Sequence, residues 1–293
     1  MRYLDRLHPV SAFLYFLTLL LVAMLTMHPI AVGISYLGAV TLLGTLIGIR
    51  RLLASLAYSL PLMLLIALAN PIFVHRGATV LFFLNGNPVT RESIVYGAVA
   101  SVLLLSVFYW CRCYTEIFSG EKFIYLFGRA VPRLSLVLSM TIALLPRMKR
   151  RMREIDDAQR ALGVYATEAW SDRLRARLRV LSILLTSTLE GSVETADSMR
   201  ARGYGLKGRT SLSHYRFRTS DGIFLAVTLL LGVADTLLIL SGIGAFDYYP
   251  RLSAVFGEPL SWLLYVLLAV LAGAAIFMEI KETVVWRILR SRI

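Results

Sequence analysis

Six apolar runs, each close to the length that crosses a bilayer, dominate this chain, and one long basic stretch interrupts them. The runs fall at residues 10–27, 30–49, 52–69, 93–114, 223–240 and about 260–277. A hydrocarbon core of about 30 Å needs roughly 20 apolar residues of helix. In lipid a helix satisfies its own backbone polar groups, whereas an open strand does not. The expected fold is an all-α polytopic membrane protein with about six transmembrane helices. Composition agrees, since 57% of the 293 residues are hydrophobic where about 45–50% is usual in soluble domains. The first run lacks a small-residue cleavage site behind a short apolar core, so it reads as a span and not a removed signal.

The net charge of +13 would point to nucleic acid in a soluble protein. In a polytopic chain the same excess marks the cytosolic side, so no nucleic-acid partner is expected. Arg2 and Arg6 precede the first run, Arg50 and Arg51 follow the second, and Arg112 closes the fourth. Lys281, Arg287, Arg290 and Arg292 make a basic tail. Six spans then place both termini and the basic stretch together in the cytosol. The resulting division is 1–114, a membrane region of four spans; 115–221, a cytosolic insert; and 222–293, two spans with the tail. Between the third and fourth spans, residues 70–91 carry Asn85-Gly86-Asn87-Pro88, a turn or short hairpin on the outer face. Arg76 and Arg91 run against that outer placement.

Catalytic and metal-binding signals are absent. There is no G-x-x-x-x-G-K-[ST] phosphate loop, so the chain is not expected to hydrolyse ATP. Cys111 and Cys113, two residues apart, fall on different helix faces and make no metal framework. The four histidines, His8, His28, His75 and His214, lack metal-ligand spacing. No cofactor is expected. Asp235 lies inside the fifth span, where a carboxylate marks an ion path or hydrogen-bonds within the bundle. Lacking a second intramembrane carboxylate, the bundle role is favoured. Gly33, Gly38, Gly44 and Gly48 in the second span offer close helix approach.

The insert reads as helices. An amphipathic patch covers 118–130. The apolar residues 134–145, bounded by Pro132 and Pro146, are short for a span and read as a helix buried in the insert or lying at the interface. A tilted extra span is the alternative. A basic helix from Met148 to Gly163 repeats Met148, Met152, Ile155, Gln159 and Leu162 on one stripe. A second starts near Ser171-Asp172, a helix-capping pair, and runs to Arg202 with Leu174, Leu178, Leu181, Leu185 and Leu189 on its stripe. Gly163 and Gly203 follow the two ends, where glycine adopts the left-handed conformation that stops a helix. Arg202 either neutralises its own helix terminus or reaches a partner carboxylate. Asp197 and Arg200, three apart, can pair and steady that tip.

These motifs resemble the transmembrane T component of energy-coupling factor (ECF) transporters, the family of the cobalt- and biotin-system T proteins. The residues that carry the likeness are Ser119-Gly120-Glu121-Lys122, the Leu134 to Pro146 run, Asp157-Ala158-Gln159-Arg160-Ala161-Leu162-Gly163, and Asp197-Ser198-Met199-Arg200-Ala201-Arg202-Gly203-Tyr204-Gly205, continued by Arg209-Thr210-Ser211. The resemblance implies two coupling helices, each ending in an Ala-Arg-Gly-type motif that enters a groove of one of two ABC-type ATPase subunits. It also implies a small substrate-capturing membrane partner, the S component, in a plasma-membrane importer of vitamins or transition-metal ions. On this reading Ala201-Arg202-Gly203 is one ATPase contact and Ala161-Leu162-Gly163 the other. Leu162 stands where the family usually has Arg, and Arg160 points about 200° away on an ideal helix. The chain itself is then non-catalytic, with specificity in the S component. A free-standing secondary transporter or channel, the alternative class, needs paired intramembrane charges or broken helices in repeats, and the sequence shows neither.

Overall fold

The computed structural model describes residues 3–84, 87–128, 131–163, 170–204, 215–254 and 260–290. Gly205, Arg209-Thr210-Ser211, His214, Arg292 and the Asn85-Gly86 turn lie outside them. The fold is nearly all helix: α1 (Tyr3–Arg6), α2 (Pro9–Leu25), α3 (Pro29–Ile47), α4 (Ile49–Phe73), α5 (Arg91–Ile117), α6 (Gly120–Gly128), α7 (Pro132–Ala161), α8 (Trp170–Ala201), α9 (Thr219–Leu240) and α10 (Ser261–Arg290). An antiparallel hairpin, β1 (Val80–Leu84) with β2 (Asn87–Thr90), joins α4 to α5. Five helices are long and apolar enough to cross a membrane: α3, α4, α5, α9 and Ser261–Lys281 of α10. The 17-residue α2 is apolar and shorter. The chain divides into two compact units, 1–119 with 215–293, and 120–214.

In the first unit two His-Pro pairs start neighbouring helices by the same device. Proline occupies the first turn of α2 and of α3, where its missing N–H costs nothing. The preceding histidine is held extended, and its Nδ1 accepts the N–H of Val10 or of Ile30 at 3.3 Å. Nδ1 accepts only as a lone pair, so both caps require a neutral ring protonated at Nε2. Burial lowers the pKa of His8, against an opposing pull from Asp221.

The core of this unit joins distant segments. Tyr15, Phe16, Leu19, Leu42, Leu43, Tyr109 and Trp110 are buried together with Leu268 and Leu271 of α10. Hydroxyls bridge helices where lipid offers no water: Trp110 Nε1 donates to Ser35 Oγ at 3.0 Å, Ser35 lies 2.8 Å from Ser106, and Ser59 lies 2.7 Å from the Tyr109 hydroxyl. The Tyr15 hydroxyl donates to the Leu271 carbonyl at 3.1 Å. Of the four glycines in α3 and its cap, Gly38 makes the close helix approach, since a Cβ there would lie 2.8 Å from that of Ala272. Gly33 faces open space, and Gly48 is a cap with φ +84. Asp235 is fully buried, but neither carboxylate oxygen has a hydrogen-bond partner among the described residues. Among the described residues the bundle hydrogen bond expected of it is not formed.

The second unit holds α6, α7 and α8, with α6 packed on α7 and α7 on α8. Residues 134–145 are not a separate buried element. They form the first part of α7, which continues through Pro146 into the basic segment as one 30-residue helix. Leu134, Val137 and Leu145 are exposed. Proline removes one backbone donor and frees one carbonyl, a cost the flanking turns of this long helix absorb. α8 begins at Trp170, so Ser171 and Asp172 lie in its first turn, and Asp172 pairs with Arg175 at 3.5 Å.

Candidate functional site

Both long helices of the second unit stop at a glycine in the left-handed conformation. Gly203 takes φ +80, and its N–H donates to the Arg200 carbonyl at 2.9 Å while that of Tyr204 reaches the Met199 carbonyl at 2.9 Å. These two bonds form a Schellman cap, which satisfies carbonyls that a helix end otherwise leaves unpaired. Gly163 takes φ +73, and its N–H donates to the Arg160 carbonyl at 3.0 Å. Each cap turns the chain sharply and fixes the residue before the glycine at the extreme end of its helix. Those residues are Arg202 and Leu162.

The two tips differ in chemistry. Arg202 is exposed and has no carboxylate in salt-bridge range among the described residues. It lines a cleft of about 500 Å³ together with Arg147, Glu194, Thr195, Ser198 and Met199. Arg200 lies 3.8 Å from Asp197, both well exposed, a geometry that contributes little stability in water. At the other tip Leu162 is 75% exposed, and Ala161 and Gly163 are exposed beside it. Arg160 turns back to Asp156 at 2.9 Å and is not brought to Leu162.

The apolar stripes are placed differently from the packing faces. Ala176, Val180 and Leu184 are the buried residues of α8. Leu174, Leu178, Leu181, Leu185 and Leu189, the leucine stripe, are all exposed, Leu189 by 68%. On α7, Met152 is exposed and Met148, Ile155 and Gln159 are half-buried. Arg147 and Glu194 were not singled out from sequence. The spacing of four through Glu194, Ser198 and Arg202 is the signal that puts the last two beside Glu194 on one face. No group of three or more His, Cys, Asp or Glu able to hold a metal occurs among the described residues.

Membrane-length helices around a buried aromatic core, with a second helical unit whose two long helices stop at glycines, define a multi-pass membrane protein. The chain belongs to the CbiQ cobalt transport protein family, whose model matches residues 2–212. It is similar to the energy-coupling factor transporter transmembrane protein EcfT of Listeria innocua, with 30% identity over 184 residues, 58% of this chain and 69% of that protein. EcfT of Bacillus selenitireducens is 35% identical over 104 residues, covering 34% of this chain and 38% of the relative. These matches uphold the resemblance read from the helix-end motifs.

Proposed function

We infer that this chain is the energy-coupling membrane subunit of an ECF-type importer. It is a non-catalytic scaffold that passes the motion of two ABC-type ATPase subunits to a substrate-binding S component. The observation that carries the reading is the pair of capped helix ends. A Schellman cap makes Ala201-Arg202-Gly203 a rigid point, with an exposed guanidinium able to fork onto a partner carboxylate. Ala161-Leu162-Gly163 offers an apolar point, stopped at Gly163, suited to a dissimilar ATPase groove. Asp197 and Arg200 flank the first tip and Arg160 the second. The exposed leucines of α8 supply an unpartnered apolar face for the S component, and apolar contacts can slide without breaking polar pairs. The insert and both termini face the cytosol, by the distribution of Lys and Arg. The cargo is a vitamin or a transition-metal ion, chosen by the S component.

Affinity purification of the intact chain in mild detergent is expected to retain two ATPase subunits and one small membrane protein. Arg202→Glu should lose the ATPase that docks on this tip while keeping the small membrane protein. Retention of both ATPases at wild-type levels by Arg202→Glu sinks the assignment of this tip. Absence of any ATPase from the intact chain's complex removes the coupling reading itself.

A further inference from the structure

The β1–β2 hairpin presents apolar side chains on both of its faces. Phe82 and Phe83, paired in register with Val89 and Pro88, point to opposite sides, and both are exposed, Phe83 by 71%, as are Val80 and Leu81 at the bulge before them. A lone two-stranded hairpin is marginal in water, and an exposed apolar edge strand is an aggregation hazard there. This one is nonetheless firmly anchored at its base. Glu92, 2% exposed, accepts the Thr79 hydroxyl and, at 3.3 Å, the Thr79 N–H. The Ala78 N–H donates to the Pro250 carbonyl at 2.9 Å, and the Thr90 hydroxyl to the Arg76 carbonyl at 2.9 Å. Gly77, with φ +149, lets the chain pass close against Glu92 and Thr90, where a Cβ would lie 2.6 Å from the carboxylate. The strand is therefore held outward and does not fold back onto the bundle.

Its surroundings select the occupant of that surface. The hairpin joins the end of one membrane-length helix, α4, to the start of another, α5. Exposed apolar surface continues from Leu64, Leu65, Leu68, Ile72 and Phe73 of α4 toward the strand. Residues 70–91 contain no Asp or Glu, but they include Arg76 and Arg91, both exposed. We propose that β1 lies in the bilayer at this end of the spans, with its Leu and Phe side chains at the boundary of headgroups and acyl chains and Arg76 and Arg91 on lipid phosphates. The depth follows from the backbone. An open strand edge is too costly in the hydrocarbon centre but is hydrated in the interfacial layer, where aromatic side chains collect. Basic residues on the outer face, which ran against the charge rule, become headgroup ligands.

The test uses the full-length chain, with Cys111→Ser and the buried Cys113 retained, in vesicles of phosphatidylcholine and phosphatidylglycerol. An environment-sensitive dye is attached at Phe83→Cys, at Leu81→Cys as a second strand site, and at Asp247→Cys as an exposed loop site near the same end. The strand dyes are expected to be several-fold brighter than the loop dye. Lipids with a nitroxide near the headgroup should quench them more strongly than lipids with a deep nitroxide. Equal brightness at all three sites with full quenching by aqueous iodide overturns the proposal. So does a dye that becomes shielded from both quenchers when co-purified partners are reconstituted, because a protein then covers the strand.

Discussion

At the scale of single residues, the chain places most of its information at helix ends. Gly203 is the clearest case, since a side chain at φ +80 costs about 1–2 kcal/mol. Gly203→Ala should speed amide exchange at Tyr204, whose N–H holds the Met199 carbonyl at 2.9 Å, by about tenfold, the factor that ~1.4 kcal/mol carries. Unchanged exchange would show that the cap does not hold this tip. His8 makes a second prediction. Its pKa is lowered in the folded state by burial, so the unfolded chain binds the proton more readily. The contribution to stability is full above the unfolded value of about 6.5 and is lost as pH falls through the lower folded value. Melting in detergent should therefore weaken from pH 7.5 to 5.5. His8→Asn keeps a capping side chain without the titration, and it should flatten that part of the profile.

At the scale of elements, the exposed leucine stripe of α8 separates the two proposed contacts. Leu181→Glu with Leu185→Glu alters residues about half exposed, so the isolated chain should melt within about 0.5 kcal/mol of the original per site. The small membrane partner should be lost from the purified complex while both ATPases stay. Loss of the ATPases instead would move the stripe's role to the other interface. The long apolar spans were legible in the sequence because bilayer length and backbone satisfaction leave a chain little choice. The two glycine-stopped ends were legible because few residues accept φ near +80. The continuity of α7 was not, because Pro146 reads as a boundary although a long helix tolerates one missing bond. Nor was the packing face of α8: leucine periodicity selects the stripe, while the small Ala176 with Val180 and Leu184 forms the buried side. Asp235 misled in another way, since sequence shows a polar group in a span and not whether anything answers it.

At the scale of the whole molecule, the membrane unit is assembled from two stretches that are far apart in the chain. Ser11 donates to the Asp221 carbonyl at 3.2 Å, Tyr15 to that of Leu271, and Tyr248 to that of Met27 at 2.6 Å, while the Tyr265 hydroxyl lies 2.9 Å from His28 Nε2. Each of these links joins α2 or its flanks to a residue beyond 215. Burial also raises the pKa of the Tyr248 phenol, with a smaller contribution from Tyr96. The discontinuity has a consequence in time. A ribosome adding about 5–20 residues per second needs on the order of 5–20 s to make the intervening insert. Throughout that interval the preceding helices lack the α9 and α10 carbonyls that accept the Ser11 and Tyr15 hydroxyls in the folded bundle, which closes only when those helices arrive.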